Sequence, residues 1–251
     1  MRFRFLDILL FALLFIFVKS FPVDLFELTA MQKELIKLGL RILLLTYYIY
    51  ILWKNRINIF KFANYKRALY FIPFLLACFS NLIAMGVAQS TVLPSFYPWD
   101  FILVFTINLV LSAILEEFLF RFIIQNSLIA ASSIVRILAS AGIFALFHLL
   151  NLIDVSSVDQ LVAVLIQVAY TFGLGILLGF IYEYTYSLPL CMAFHILFNI
   201  MNSAFISVYN TIVIPDIYGL VTALIIAAIL IAYTSLIYLF VLRKFSKYFR
   251  E

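Results

Sequence analysis

Apolar runs of about twenty residues, separated by short polar connections, dominate the chain and set its predicted elements. A membrane-spanning helix needs about 20 mostly apolar residues. Windows of that length predict eight helical spans, at 5–18, 36–53, 68–92, 101–129, 134–153, 161–182, 188–209 and 218–242. The predicted fold class is therefore all-α, a polytopic membrane bundle of about eight transmembrane helices. Little chain remains for a soluble domain.

Composition agrees with that pattern. Hydrophobic residues make up 67% and charged residues 12% of the 251 positions, against about half and a quarter in soluble domains. Arg2 and Arg4 precede the first run as they would in a signal peptide, but Lys19, Phe21 and Pro22 follow where a small-x-small cleavage site would stand, so a retained helix is expected. Cys78 and Cys191 sit in separate apolar runs and read as small core residues rather than a disulfide or metal framework.

Cytoplasmic connections keep Lys and Arg. Arg2 and Arg4, the group Lys54, Arg56, Lys61, Lys66 and Arg67, then Arg136, and finally Arg243, Lys244, Lys247 and Arg250 fall on one side of an eight-span arrangement. The alternate connections at Asp100, at Asp154 and Asp159, and at Asp216 have no basic residue. Two places blur the alternation: the outer loop carrying Lys19, Lys33 and Lys37, and the inner turn at Glu183. Both termini are expected in the cytoplasm, and a compact chain of this kind suits a bacterial plasma membrane. The formal net charge of +5 reports topology and gives no reason to invoke nucleic acid. The stretch 54–67, with Ile57, Ile59, Phe60, Phe62 and Tyr65 among its basic residues, reads as a positive-inside loop or as an interfacial amphipathic segment. No internal repeat is evident.

Ionisable residues at depth divide the chain into three parts: N-terminal helices over 1–99, a functional core over 100–209, and a last helix with a basic tail over 210–251. Groups that lipid would reject mark function by default. In the core, Glu116, Glu117 and Arg121 lie in one span, His148 in the next, and His195 in a third. At about 100° per residue, Glu117 and Arg121 share a helix face and form an i,i+4 ion pair, while Glu116 is left to face a cavity. A purely structural ion-pair network is the plainer alternative. Phe144 precedes His148 by one turn, and Asn199 follows His195 by one. At about 1.5 Å per residue, Glu116, His148 and Asn199 come to similar depths with His195 one turn shallower, so three helices are able to form one pocket.

These residues resemble the signature of a known family. Glu116 to Arg121 match EExxxR, Phe144 to His148 match FxxxH, and His195 to Asn199 match HxxxN, the motifs of the CPBP intramembrane proteases, which include CAAX prenyl endopeptidases and bacterial Abi proteins. The glycines Gly175 and Gly179, with Tyr182, Thr185, Ser187 and Leu188, resemble the family's Gly-rich helix and turn, and the resemblance covers about residues 100 to 205. Phe122 stands where the family often has Gly, and Cys191 where it often has Pro, with Pro189 two residues earlier.

The resemblance implies that Glu116 and His148 activate a water for attack on a peptide carbonyl. It also implies that His195 and Asn199 stabilise the oxyanion, with Glu117 and Arg121 holding Glu116. An amide and an imidazole are competent oxyanion donors. No cofactor is expected. The alternative is zinc held by Glu116, His148 and His195, which leaves the amide of Asn199 unexplained because amides are poor zinc ligands. Gly173, Gly175 and Gly179 read as helix-packing positions, and Asn151, Gln125 and Asn202 as hydrogen-bonding residues between helices.

The function expected is an intramembrane endopeptidase acting on a peptide or a C-terminal protein segment in the bilayer, in prenyl-protein or peptide processing or in bacteriocin self-immunity. A non-catalytic membrane immunity or interaction protein and an ion-coupled transporter are the alternatives. The latter predicts repeat symmetry between halves.

Overall fold

A computed structural model of the chain describes residues 5–59, 97–128, 130–155 and 157–209, and Ala232 alone. All regular structure among them is helical. The first element, α1, covers Phe5–Lys19. Helix α2, Ala30–Lys54, opens with a reciprocal cap in which Thr29 Oγ1 accepts from the Gln32 backbone and the Gln32 side chain accepts from the Thr29 N–H. Such a cap satisfies two backbone donors that a helix start leaves open. Lys54, at the other end of α2, closes on Asp7 near the start of α1 with Nζ 3.0 Å from Oδ1.

After Pro98, α3 spans Trp99–Glu117 and continues without interruption as a π-helix over Phe118–Gln125. The predicted helix at 101–129 is thus not uniform. π-helical turns are rare and concentrate at functional sites, and this one begins immediately after the glutamate pair. Ser132 caps α4, Ser133–Phe147, by accepting from the Val135 backbone. His148–Asp154 then tightens into a 3-10 helix, so His148 stands just past the end of α4 rather than within it. Helix α5 runs Val158–Thr185 and ends at Tyr186, whose φ of 52° is left-handed. That residue makes the sharp turn into α6, Leu188–Tyr209.

Four stretches, Ala30–Lys54, Trp99–Gln125, Ser133–Ile153 and Gln160–Thr185, are long and apolar enough to cross a bilayer, and the apolar part of α6, Leu188–Met201, is shorter. Together they make a membrane helical bundle. The predicted spans at 68–92 and 218–242, most of the 54–67 segment, Cys78 and the basic tail lie outside the described residues, so the structure bears on fewer than eight spans.

Helix directions follow from contacts at two levels. Asn108 of α3 donates to the carbonyl and carboxylate of Glu34 in α2, and further along both helices the rings of Tyr48 and Phe118 meet at 3.9 Å. Helices α2 and α3 therefore run in the same direction. Helix α4 lies against α5, and α3 against α6.

Close approach of α4 and α5 is set by glycine. A Cβ on Gly175 would stand 3.0 Å from the Ala141 backbone, and one on Gly179 would stand 3.2 Å from Gln125 and Ile137. These are the small-residue contacts by which helices pack in lipid, as the glycine pattern predicted. Gln125 donates to the Gly179 carbonyl, and Asn151 to Gln167 of α5, which makes both of them bonds between segments. The side chain of Asn202 is outside the described set. Glu183, which lacked a basic neighbour in its own turn, is met by Arg136 of α4.

Candidate active site

Burial and aromatic packing shape the site before any ionisable group is considered. Phe11 of α1 meets Phe118 edge-on at 4.9 Å, Phe15 meets Phe120 at 6.1 Å, and Phe120 meets Phe144 at 5.0 Å. Phe144 meets both imidazoles in T-shaped contacts, at 5.0 Å from His148 and 5.7 Å from His195. This wall of rings packs against both histidines. Phe122, where the family resemblance led one to expect Gly, is buried and stacks on Phe118 at 5.3 Å.

Against that wall, Glu116, Glu117, Arg121, His148 and His195 are each no more than 6% exposed. Glu117 uses both carboxylate oxygens. Arg121 Nε donates to Oε2 at 3.0 Å, and His195 Nδ1 lies 2.9 Å from Oε1. Against a carboxylate the ring nitrogen is the donor, so Glu117 fixes both the tilt and the tautomer of His195. The expected Glu117–Arg121 ion pair is present, and its reach is longer than expected because it extends to His195 as well. Arg121 also donates through Nη1 to Ser140 Oγ at 2.9 Å, and its guanidinium stands 5.2 Å from the Phe144 ring centroid.

With Nδ1 committed to Glu117, the Nε2 of His195 points to Glu116, 3.7 Å from Oε2. The other oxygen of Glu116 accepts from Ser112 Oγ, one turn earlier on α3, at 2.8 Å. His148 bonds in the same one-sided manner. Its Nδ1 lies 2.9 Å from the Phe144 carbonyl, an acceptor, so Nδ1 carries the hydrogen and a neutral ring keeps its lone pair on Nε2. That bond gives the FxxxH spacing a physical meaning, since the aromatic residue contributes both a ring wall and a carbonyl anchor. Asn199 is half-buried one turn beyond His195 on α6.

One group near Glu116 was missed. Lys19, the last residue of α1, brings Nζ to 3.7 Å from Glu116 Oε1. The sequence reading places Lys19 in an outer loop and pairs Arg121 with Glu117, which leaves Glu116 without a cation. The pairing of Asp7 with Lys54 supplies the reference level for its depth. Twelve residues separate it from Asp7, about 18 Å at 1.5 Å per residue, which leaves it well inside a hydrocarbon layer about 30 Å thick. Cys191 is fully buried, with Sγ against the Leu178 carbonyl at 3.6 Å, a packing role as expected.

Among the described residues, no group of three or more His, Cys, Asp or Glu side chains is arranged to hold a metal ion. The His195 nitrogen nearer Glu117 is already bonded to that carboxylate.

A buried carboxylate thus faces an imidazole that a second carboxylate orients, all within a bundle of membrane helices. Residues 98–201 match the family model described as type II CAAX prenyl endopeptidase Rce1-like. The match agrees with the CAAX protease family that the motifs resemble, and the matched segment contains all of Glu116, Glu117, Arg121, His148, His195 and Asn199. No curated protein and no solved structure matches the chain.

Proposed function

We propose that the protein is an intramembrane endopeptidase in which Glu116, assisted by His148, activates water, and His195 with Asn199 binds the oxyanion. The observation that carries this reading is the 3.7 Å gap between Glu116 Oε2 and His195 Nε2. A water hydrogen-bonds at about 2.8 Å to an oxygen or nitrogen, so one water is able to bridge the two groups at that separation. The bound water transfers a proton to Glu116 as its oxygen attacks the carbonyl carbon. The carbonyl oxygen, now negative, takes hydrogen bonds from Asn199 and from Nε2 of His195, which enters the step with a second proton taken from solvent and whose charge Glu117 balances. Glu116 then returns the proton to the leaving amine, and the C–N bond breaks. Arg121 and Ser140 act at one remove by fixing Glu117.

The substrate class follows from the family description: a membrane-held protein tail, in the first instance one carrying a prenylated CAAX sequence. The test is cleavage of a farnesylated fluorogenic CAAX peptide by the purified full-length protein in lipid bilayers. Cleavage is expected to continue after metal stripping and in the presence of a chelator, because the chemistry runs through the carboxylate. A stoichiometric zinc, lost together with activity and restored with it, would replace this mechanism by a metal-dependent one.

We also propose eight spans with both termini cytoplasmic. The common direction of α2 and α3 supports one span between them, and the Arg136 contact with Glu183 supports placing those two residues on the same membrane face. Reporter fusions are expected to read the C-terminus as cytoplasmic and the Asp154 connection as outside, and the reverse result would overturn this topology.

A further inference from the structure

Glu116 is approached on two sides, and only one of them belongs to the motif residues. Oε2 faces His195. Oε1 accepts from Ser112 at 2.8 Å and lies 3.7 Å from the Lys19 ammonium. Lys19 reaches this point from α1, outside the segment 98–201 that carries the family match.

An ammonium at membrane depth is costly and is found where an anion or water meets it. Lys19 is mostly buried, with a fifth of its side chain exposed, and Glu116 is the carboxylate it meets. At 3.7 Å the contact is longer than a hydrogen bond, so Lys19 acts as a point charge rather than as a bonded donor. Glu116 also acts electrostatically on Arg41 of α2 and Tyr170 of α5, but neither forms an ion pair or hydrogen bond with it among the described residues. The carboxylate thus has two anchors on Oε1, one from its own helix and one from α1.

We propose that Lys19 is a positioning residue of the hydrolytic site: with Ser112 it holds Oε1 of Glu116 from behind, so that Oε2 is the oxygen presented to water and to His195. A glutamate carboxyl rotates about its last bond over a broad range. In a site where reacting atoms must be held to within a fraction of an ångström, that freedom is expensive in rate. Ser112 alone fixes one oxygen by one bond. The ammonium adds a charge that favours the same oxygen over the whole of the approach, and it makes the N-terminal helix a working part of the site. The inference rests on the glutamate reading of the mechanism.

The full-length protein in lipid bilayers, assayed with the farnesylated fluorogenic CAAX peptide, tests it. Lys19→Met is expected to lower kcat roughly tenfold to hundredfold, the size of one lost interaction with a charged group, with KM unchanged. Lys19→Arg is expected to restore most of the rate. A double-mutant cycle on the melting temperature, using Lys19→Met and Glu116→Gln, is expected to be non-additive, a readout that requires no turnover. Unchanged kcat in Lys19→Met beside a silent Glu116→Gln overturns the proposal, as do additive melting shifts. A raised KM at constant kcat overturns it too, by making Lys19 a substrate-binding group. Activity in Glu116→Gln is a separate result that overturns the glutamate mechanism itself.

Discussion

Glu116→Ala is expected to abolish peptide cleavage, and Glu116→Gln to do the same despite keeping the size of the side chain. Positioned general-base catalysis contributes roughly a hundredfold to ten-thousandfold, and both substitutions remove it. The glutamine variant is the sharper test. Its amide can still receive the Ser112 hydroxyl, which now donates to Oε1 at 2.8 Å, so packing survives while the base does not. His148→Ala and His195→Ala are expected to be silent as well, since each removes a ring that Phe144 and a specific hydrogen bond hold in place. Asn199→Ala is expected to keep a residual rate, because losing one oxyanion donor lowers kcat by about a hundredfold to a thousandfold. Rates are to be read on protein whose insertion and melting temperature match wild type. Wild-type turnover in Glu116→Gln would exclude the carboxylate as the base.

Much of this centre was legible along the chain, for a reason specific to membranes. Ionisable groups are so costly in lipid that Glu116, Glu117, Arg121, His148 and His195 stand out against their apolar neighbours, and helical periodicity then pairs Glu117 with Arg121. The helical bundle was legible from the same apolar runs. Three features were not. The π-helix after Glu117 has no signature in residue type, since Phe118 to Ile124 would suit an α-helix equally well, and its consequence is that seven of its eight residues are buried. The bond from Glu117 to His195 joins positions 78 apart, and periodicity carries no information across that separation. Lys19 was passed over because a lysine at the end of an apolar run ordinarily marks the membrane surface. Its depth emerges only once Asp7 is paired with Lys54, which supplies the reference level.

Arg121→Met is expected to destabilise the protein by about 3–5 kcal/mol, the usual effect of removing one partner from a buried ion pair, read as a loss of unfolding free energy in mild detergent or bilayers. Arg121 and Glu117 are both fully buried, with the Arg121 Nε donating to Glu117 at 3.0 Å, so the remaining Glu117 would keep a charge that, among the described residues, His195 is placed to meet. Replacing both members, as Arg121→Met with Glu117→Leu, is expected to recover most of that loss, since apolar groups of similar volume substitute for buried pairs with little net effect. Activity should not follow stability. The double variant leaves His195 without its partner on Nδ1, and the ring is then free to turn and to change tautomer. In a purely structural ion-pair network the double variant would regain activity along with its fold. A stable and inactive double variant therefore assigns Glu117 to the orientation of His195, and a stable and active one would reduce the Glu117–Arg121 pair to packing alone.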